Sequence, residues 1–100
     1  MTHRIVITES ARDDLNDIGE FIRVSAGNLT SERFIERIIE KIQTLSFAPQ
    51  RTPMREDLRA ELRVIHLEKY LVFYRIAENT APILRVVHGT RNITADMFSS

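Results

Sequence analysis

Apolar positions along this chain follow two rhythms, and the change between them sets the architecture. Arg4-Ile5-Val6-Ile7-Thr8 is a short β-branched run and predicts a first strand. From Ala11 the spacing becomes helical. Ala11, Leu15, Ile18 and Ile22 recur at intervals of four, three and four, so they share one face. Ser10 is the expected N-cap, paired with Asp13 in a shortened capping box. Asp13, Asp14 and Asp17 suit the positive end of the helix dipole. Gly27-Asn28 predicts the stop, because glycine takes the left-handed conformation a C-terminal cap needs. Thr30 is the expected cap of a second helix, with Leu29 and Phe34 placed as a hydrophobic staple. Phe34, Ile35, Ile38, Ile39, Ile42 and Leu45 form its apolar stripe. Pro49 and Pro53 forbid continuation. The tight link predicts an antiparallel helix hairpin.

After a polar connection from Gln50 to Leu58, the rhythm becomes that of strands. Leu62–Leu67 predicts a second strand, Glu68-Lys69 a tight turn and Tyr70–Ile76 a third strand. Glu78-Asn79-Thr80 reads as a turn in which Asn79 takes positive φ. Ile83–His88 is almost continuously apolar and predicts a buried fourth strand, broken by Gly89. The tail from Asn92 is expected to be partly disordered. The element order is β-α-α-β-β-β. The fold class is α+β, with the helix hairpin packed on one face of a twisted antiparallel sheet. Alternation places Val72, Tyr74 and Ile76 under the helices. Leu71, Phe73 and Arg75 then form an apolar surface with an arginine on the opposite face, the kind that usually meets a partner.

Composition narrows the class. A chain of 100 residues, 43% apolar and 28% charged, is read as one domain spanning 1–100 with a self-sufficient core. There is no cysteine, so neither a disulfide nor a thiol nucleophile is available, and a reducing cytoplasm is expected. No apolar run approaches the roughly 20 residues that span a bilayer, and the N-terminus lacks signal-peptide architecture. Net charge is zero, with a mild basic bias between Arg59 and Arg91. A strong phosphate binder carries a larger excess.

Cofactor and metal motifs are lacking. The glycines are scattered, and His3, His66 and His88 are too far apart for ligand spacing, so neither a cofactor nor a metal is expected. Asp13 and Asp17 form a carboxylate pair on paper, but a solvated helix start explains them. His88, before Gly89, is either a general acid or base or a hydrogen bonder at a strand end. Arg63, Arg75, Arg85 and Arg91 either grip phosphate or an acidic partner, or pair with Glu61, Glu68 and Glu78. Tyr70 and Tyr74 read as sheet packing.

Several segments together carry a resemblance. They are ESARDDLNDI with F-I at Glu9–Ile22, ERFIERI at Glu32–Ile38, P-x-x-R-T-P at Pro49–Pro53, YLVFYRI at Tyr70–Ile76 and ILRVVHGTR at Ile83–Arg91. In this order they resemble the RelE/ParE superfamily of bacterial toxins from type II toxin–antitoxin modules, some of which stabilise plasmids. The resemblance implies a helix hairpin against a twisted sheet and a cognate antitoxin as partner. The RelE-like branch cleaves mRNA on the ribosome without metal, using basic side chains on the sheet, a late arginine and often a tyrosine near the C-terminus. The ParE-like branch poisons DNA gyrase and lacks that set. Arg91 matches the late arginine. Leu71 and Val64 stand where that branch has basic residues, and Met97 or Phe98 where it has tyrosine. The resemblance therefore favours the ParE-like branch, with gyrase bound rather than cut and no direct nucleic-acid binding. The expected target- or partner-binding residues are Arg63, Leu71, Phe73, Arg75, His88 and Arg91. In the alternative, a RelE-like ribonuclease, Arg63, Arg75, His88 and Arg91 are catalytic. A further alternative is a toxin fold that has lost activity and only binds antitoxin.

Overall fold

A computed structural model describes residues 2–98. The chain runs β1 (Arg4–Ile7), α1 (Glu9–Ala26), α2 (Asn28–Gln43), β2 (Arg63–Leu67), β3 (Tyr70–Tyr74) and β4 (Thr80–His88), with short 3₁₀ turns at Thr44–Ser46, Pro49–Arg51 and Ala95–Phe98. The β-α-α-β-β-β order holds. The sheet order is β1-β4-β3-β2. One feature of the expected sheet is corrected. β2, β3 and β4 are antiparallel, but β1 pairs with β4 in parallel, Arg4 to Thr80 through Ile7 to Ile83. The sheet is mixed because β1 is not hairpin-linked to its neighbour; both helices and two strands lie between them.

The junction between β1 and α1 fixes that pairing. Thr8, not Ser10, caps α1. Its hydroxyl oxygen accepts from the Ala11 N–H at 3.3 Å and its O–H donates to the Ile83 carbonyl at 2.7 Å. Thr8 is still extended (φ −69°, ψ 163°), so the strand turns into the helix there and leaves Ser10 already helical. Gly27 ends α1 with φ +97° and donates to the Arg23 carbonyl. The same residue starts α2, because its carbonyl accepts from Ser31 N–H at 3.1 Å. Neither the Thr30 cap nor the Leu29 staple forms. With Gly27 alone making the reversal, α2 begins at Asn28 and Leu29 lies 58% exposed.

The main core lies between hairpin and sheet. Ala11, Leu15 and Ile18 from α1, and Ile38 and Ile42 from α2, pack on Val72, Tyr74, Ile83 and Val86. Full burial of each large aliphatic side chain is worth about 1.5–3 kcal/mol. The helices approach closely at Gly19, whose carbonyl accepts from the buried Ser31 hydroxyl at 2.6 Å.

Val72, Tyr74 and Ile76 do face the helices, but the opposite face is not open. Leu62, Val64, Phe73, Val87 and Phe98 form a second buried cluster there. Phe98 packs edge-on against Phe73, ring centroids 4.9 Å apart, and its carbonyl accepts from Arg59 at 3.0 Å. The tail up to Phe98 thus packs on the sheet; residues 99 and 100 lie outside the described part. β3 stops at Tyr74, not Ile76. Arg75 N–H reaches the Pro82 carbonyl, and proline has no N–H to return. A register shift follows, Phe73 opposing Arg85 and Tyr74 opposing Ile83, which leaves Leu84 as the extra residue. Glu68 supplies the positive φ of the β2–β3 turn (+52°), as Glu61 does before β2 (+60°); Asn79 does not.

Candidate functional site

The six expected contact residues do not form one site. Arg63 opposes Tyr74 at one end of β3, whereas Tyr70 at the other end opposes His88. Tyr70 and Tyr74 are four strand positions apart, about 13 Å. Arg63 is also committed. Its Nη1 donates to the Gln50 carbonyl at 2.9 Å and the Thr52 carbonyl at 2.7 Å. Tyr74 hydroxyl holds the same segment through Thr52 Oγ1 and the Pro49 carbonyl. Both side chains satisfy carbonyls that an irregular backbone leaves unpaired. Phe73 is fully buried and packs edge-on against Phe98. Val64, where the ribonuclease branch expects a basic residue, is 3% exposed. Arg75 is half-buried beyond the end of β3. Arg85, read with Glu61, Glu68 and Glu78 as possible partners, instead forms a two-pronged ion pair with Asp14, at 2.7 and 2.9 Å. That hydrogen-bonded carboxylate holds the guanidinium pKa above its ordinary value.

His88 and Arg91 lie together at the end of the sheet beneath the helix hairpin, and Leu71 lies at the same end on the opposite face, against the second cluster. Leu71 and His88 line one depression, His88 and Arg91 another. Between them opens a cleft of about 440 Å³, walled by Phe21, Ile22, Phe34, Tyr70, His88 and Lys69. Its floor is a run of stacked groups. The Arg37 guanidinium lies 5.0 Å over the Phe34 ring, Phe34 tilts against Tyr70 at 5.4 Å, and Tyr70 meets His88 edge-on at 5.1 Å. Arg37 also pairs with Glu68 at 3.0 Å, closing the run onto the β2–β3 turn. Burial pushes the Tyr70 phenol above its ordinary pKa, so it stays a neutral hydroxyl.

The state of His88 decides what chemistry is available. The Thr90 backbone N–H points at Nδ1 from 3.1 Å, and Thr90 Oγ1 lies 2.7 Å from the same atom. An N–H can only donate, so Nδ1 accepts and the hydrogen of the neutral ring sits on Nε2. In that form Nε2 is a donor and not a base. The second alternative read from sequence, a histidine hydrogen-bonding at a strand end, is what the geometry contains.

Sequence reasoning missed Phe21, Lys69 and Thr90. A signal existed for the first. Phe21 and Val24 are large apolar residues off the Ala11-Leu15-Ile18-Ile22 stripe, and they are 69% and 73% exposed. Leu29, just across the Gly27 turn, adds a third exposed apolar side chain at the hairpin tip. Monomeric surfaces seldom gather such residues without a partner. Among the described residues, no helix is long and apolar enough to cross a membrane, and no cluster of His, Asp and Glu could hold a metal ion.

Comparison with known proteins agrees with this architecture. The sequence model of the ParE toxin of the type II toxin–antitoxin system parDE matches residues 5–93. Toxin ParE3 of Caulobacter vibrioides is 27% identical over 94 residues, 94% of each chain. Among solved structures, the chromosomal ParDE toxin–antitoxin system of P. aeruginosa contains a chain that superposes with a TM-score of 0.78 at 20% identity, covering 87% of this chain and 96% of that one, a likeness of fold. The RelBE2 toxin–antitoxin complex of Mycobacterium tuberculosis contains a chain with a TM-score of 0.67 and 27% identity, over 88% of this chain and 99% of that one.

Proposed function

The chain belongs to the ParE family of type II toxin–antitoxin toxins, and from that premise we propose that it inhibits DNA gyrase by binding and is neutralised by a cognate antitoxin. The observation that carries binding over catalysis is the dispersal of the basic set. Arg63 is spent on two backbone carbonyls, and His88, about 13 Å along the sheet, presents a donor where a ribonuclease needs a base. Leu71 and Val64 add no charge. A phosphorane needs cations converging within hydrogen-bond reach of one phosphate, and Arg63 lies at the other end of the strand from His88 and Arg91. The antitoxin half of the proposal is supported by the apolar hairpin tip and the cleft beside it, a surface suited to a segment that folds on binding.

A supercoiling assay with purified gyrase tests the target. The expected result is loss of supercoiling, with accumulation of cleaved DNA complexes. If gyrase works normally with the chain in excess, while translated mRNA is cut in a primer-extension assay, the gyrase reading fails.

A further inference from the structure

We propose that His88, locked by Thr90 with its hydrogen on Nε2, is a specificity-determining residue of the cleft, which takes an antitoxin segment carrying a carboxylate beside an apolar anchor. This rests on the reading of the chain as a toxin held by an antitoxin.

Three observations point to that occupant. First, the walls are aromatic and preformed. Phe34 and Tyr70 are fixed by the stacked run, and Phe21 stands exposed at the mouth, which suits an apolar anchor. Second, the polar atom His88 has left to offer is a donor. Its Nδ1 is occupied, its ring is held edge-on to Tyr70, and rotation to the other tautomer would set two N–H groups against each other at Thr90. A rigid donor selects an acceptor, and it binds without losing rotamer freedom. Third, the rim holds a cation to spare, because Glu68, which lines the cleft with Lys69, is paired with Arg37. Lys69 lines the cleft and has no polar side-chain partner among the described residues. The nearby carboxylates are already engaged: Glu68 by Arg37, Glu20 by Arg23 and Asp14 by Arg85. Asp17 lies with Arg91 in the adjoining depression. A carboxylate on the partner would take a charge-assisted hydrogen bond from Nε2 and sit within the field of Lys69. An amide or hydroxyl would gain less, and a basic side chain would be repelled.

The test is calorimetric titration of the purified chain with the purified product of the reading frame adjacent to its gene. Lys69→Glu and Phe21→Asp are expected to weaken binding about tenfold or more each, and His88→Glu, which replaces the donor by an acceptor, by about a hundredfold. His88→Gln keeps a donor near the Nε2 position and should stay within about threefold of wild type. Equal affinity of wild type, Lys69→Glu and His88→Glu would overturn the proposal. Failure of the wild-type chain to bind at all would instead overturn the toxin–antitoxin reading beneath it. Should His88→Glu not fold, two-bond ¹⁵N–¹H correlation spectra of the wild-type histidines decide. The Nε2–H form of His88 and a shift of its Nε2 signal on adding the partner are expected. A hydrogen on Nδ1, or no shift at saturation, would refute it.

Discussion

Asp14 on α1 accepts three hydrogen bonds from consecutive residues of β4: two from the Arg85 guanidinium and one from the Val86 backbone N–H at 2.9 Å. β1 ends at Ile7, opposite Ile83, so β4 runs on with a bare edge. The carboxylate takes the place the next strand residue would have had. It joins helix to sheet at the register shift and also blocks strand addition there.

Asp14→Ala should therefore destabilise the fold by about 2–4 kcal/mol, since it strands a largely buried guanidinium and an edge N–H. Asp14→Asn should cost less, because one amide oxygen can still accept from Val86. Urea unfolding measures both. Asp13→Ala, on an exposed position of the same turn, should change stability by less than about 0.5 kcal/mol. Equal effects of Asp14→Ala and Asp13→Ala would contradict this role.

Arg63 is a strut for the Pro49–Thr52 segment, through the Gln50 and Thr52 carbonyls. Arg63→Met should speed amide exchange in that segment and cost about 1–2 kcal/mol, while gyrase inhibition per folded molecule stays within about twofold. Inhibition that falls tenfold in fully folded protein would restore Arg63 to the interface.

Phe98 seals the far face of the sheet. Phe98→Ala removes a ring 5% exposed and should cost about 3–4 kcal/mol. A dye that reports exposed apolar surface should then bind, because Phe73 and Val64 lose their cover. Wild-type stability of this variant would mean the tail is not part of the core.

Tyr74 gives the fold an alkaline limit. Burial raises its pKa above the ordinary 10.0, against the opposing pull of the Thr52 hydroxyl and the Arg63 guanidinium. A raised folded pKa gives a contribution that is full below the unfolded value and lost as pH rises through the folded one. Stability should therefore decline at alkaline pH, beginning near the unfolded value. Tyr74→Phe should be less stable at neutral pH but show a weaker alkaline decline, read from urea midpoints across that range.

Much of this architecture was legible in the residues. Ala11, Leu15, Ile18 and Ile22 formed the buried face of α1, and alternation correctly put Val72 and Tyr74 under the helices. Periodicity reports which side of an element is apolar, and both rhythms were clear. It does not report what lies over the other side. Phe73 was read as surface because the covering residues, Leu58, Ile93, Met97 and Phe98, come from irregular segments with no period. The direction of β1 was hidden for a related reason: pairing between strands far apart in sequence leaves no local mark. The structure brings His88 and Arg91, both singled out from the sequence, into one depression; a histidine before a glycine at a strand end stands out. Lys69 and Thr90 look like ordinary turn residues until the fold places them beside it. Helix starts were misplaced because several capping residues, Thr8 and Ser10, Asn28 and Thr30, compete within a few positions, and tertiary bonds such as Thr8 to Ile83 decide among them.

The parallel pairing of β1 with β4 also has a meaning in time. Thr8 and its carbonyl partner on Ile83 are 75 residues apart in the chain. During synthesis the first strand therefore emerges with no mate, and it waits until β4 has been translated. At roughly 5–20 residues per second that is an interval of several seconds. Through it the hairpin can form locally, but the sheet end that carries His88 does not exist. A partner that recognises the cleft, as proposed above, would meet only copies in which β4 is already in place.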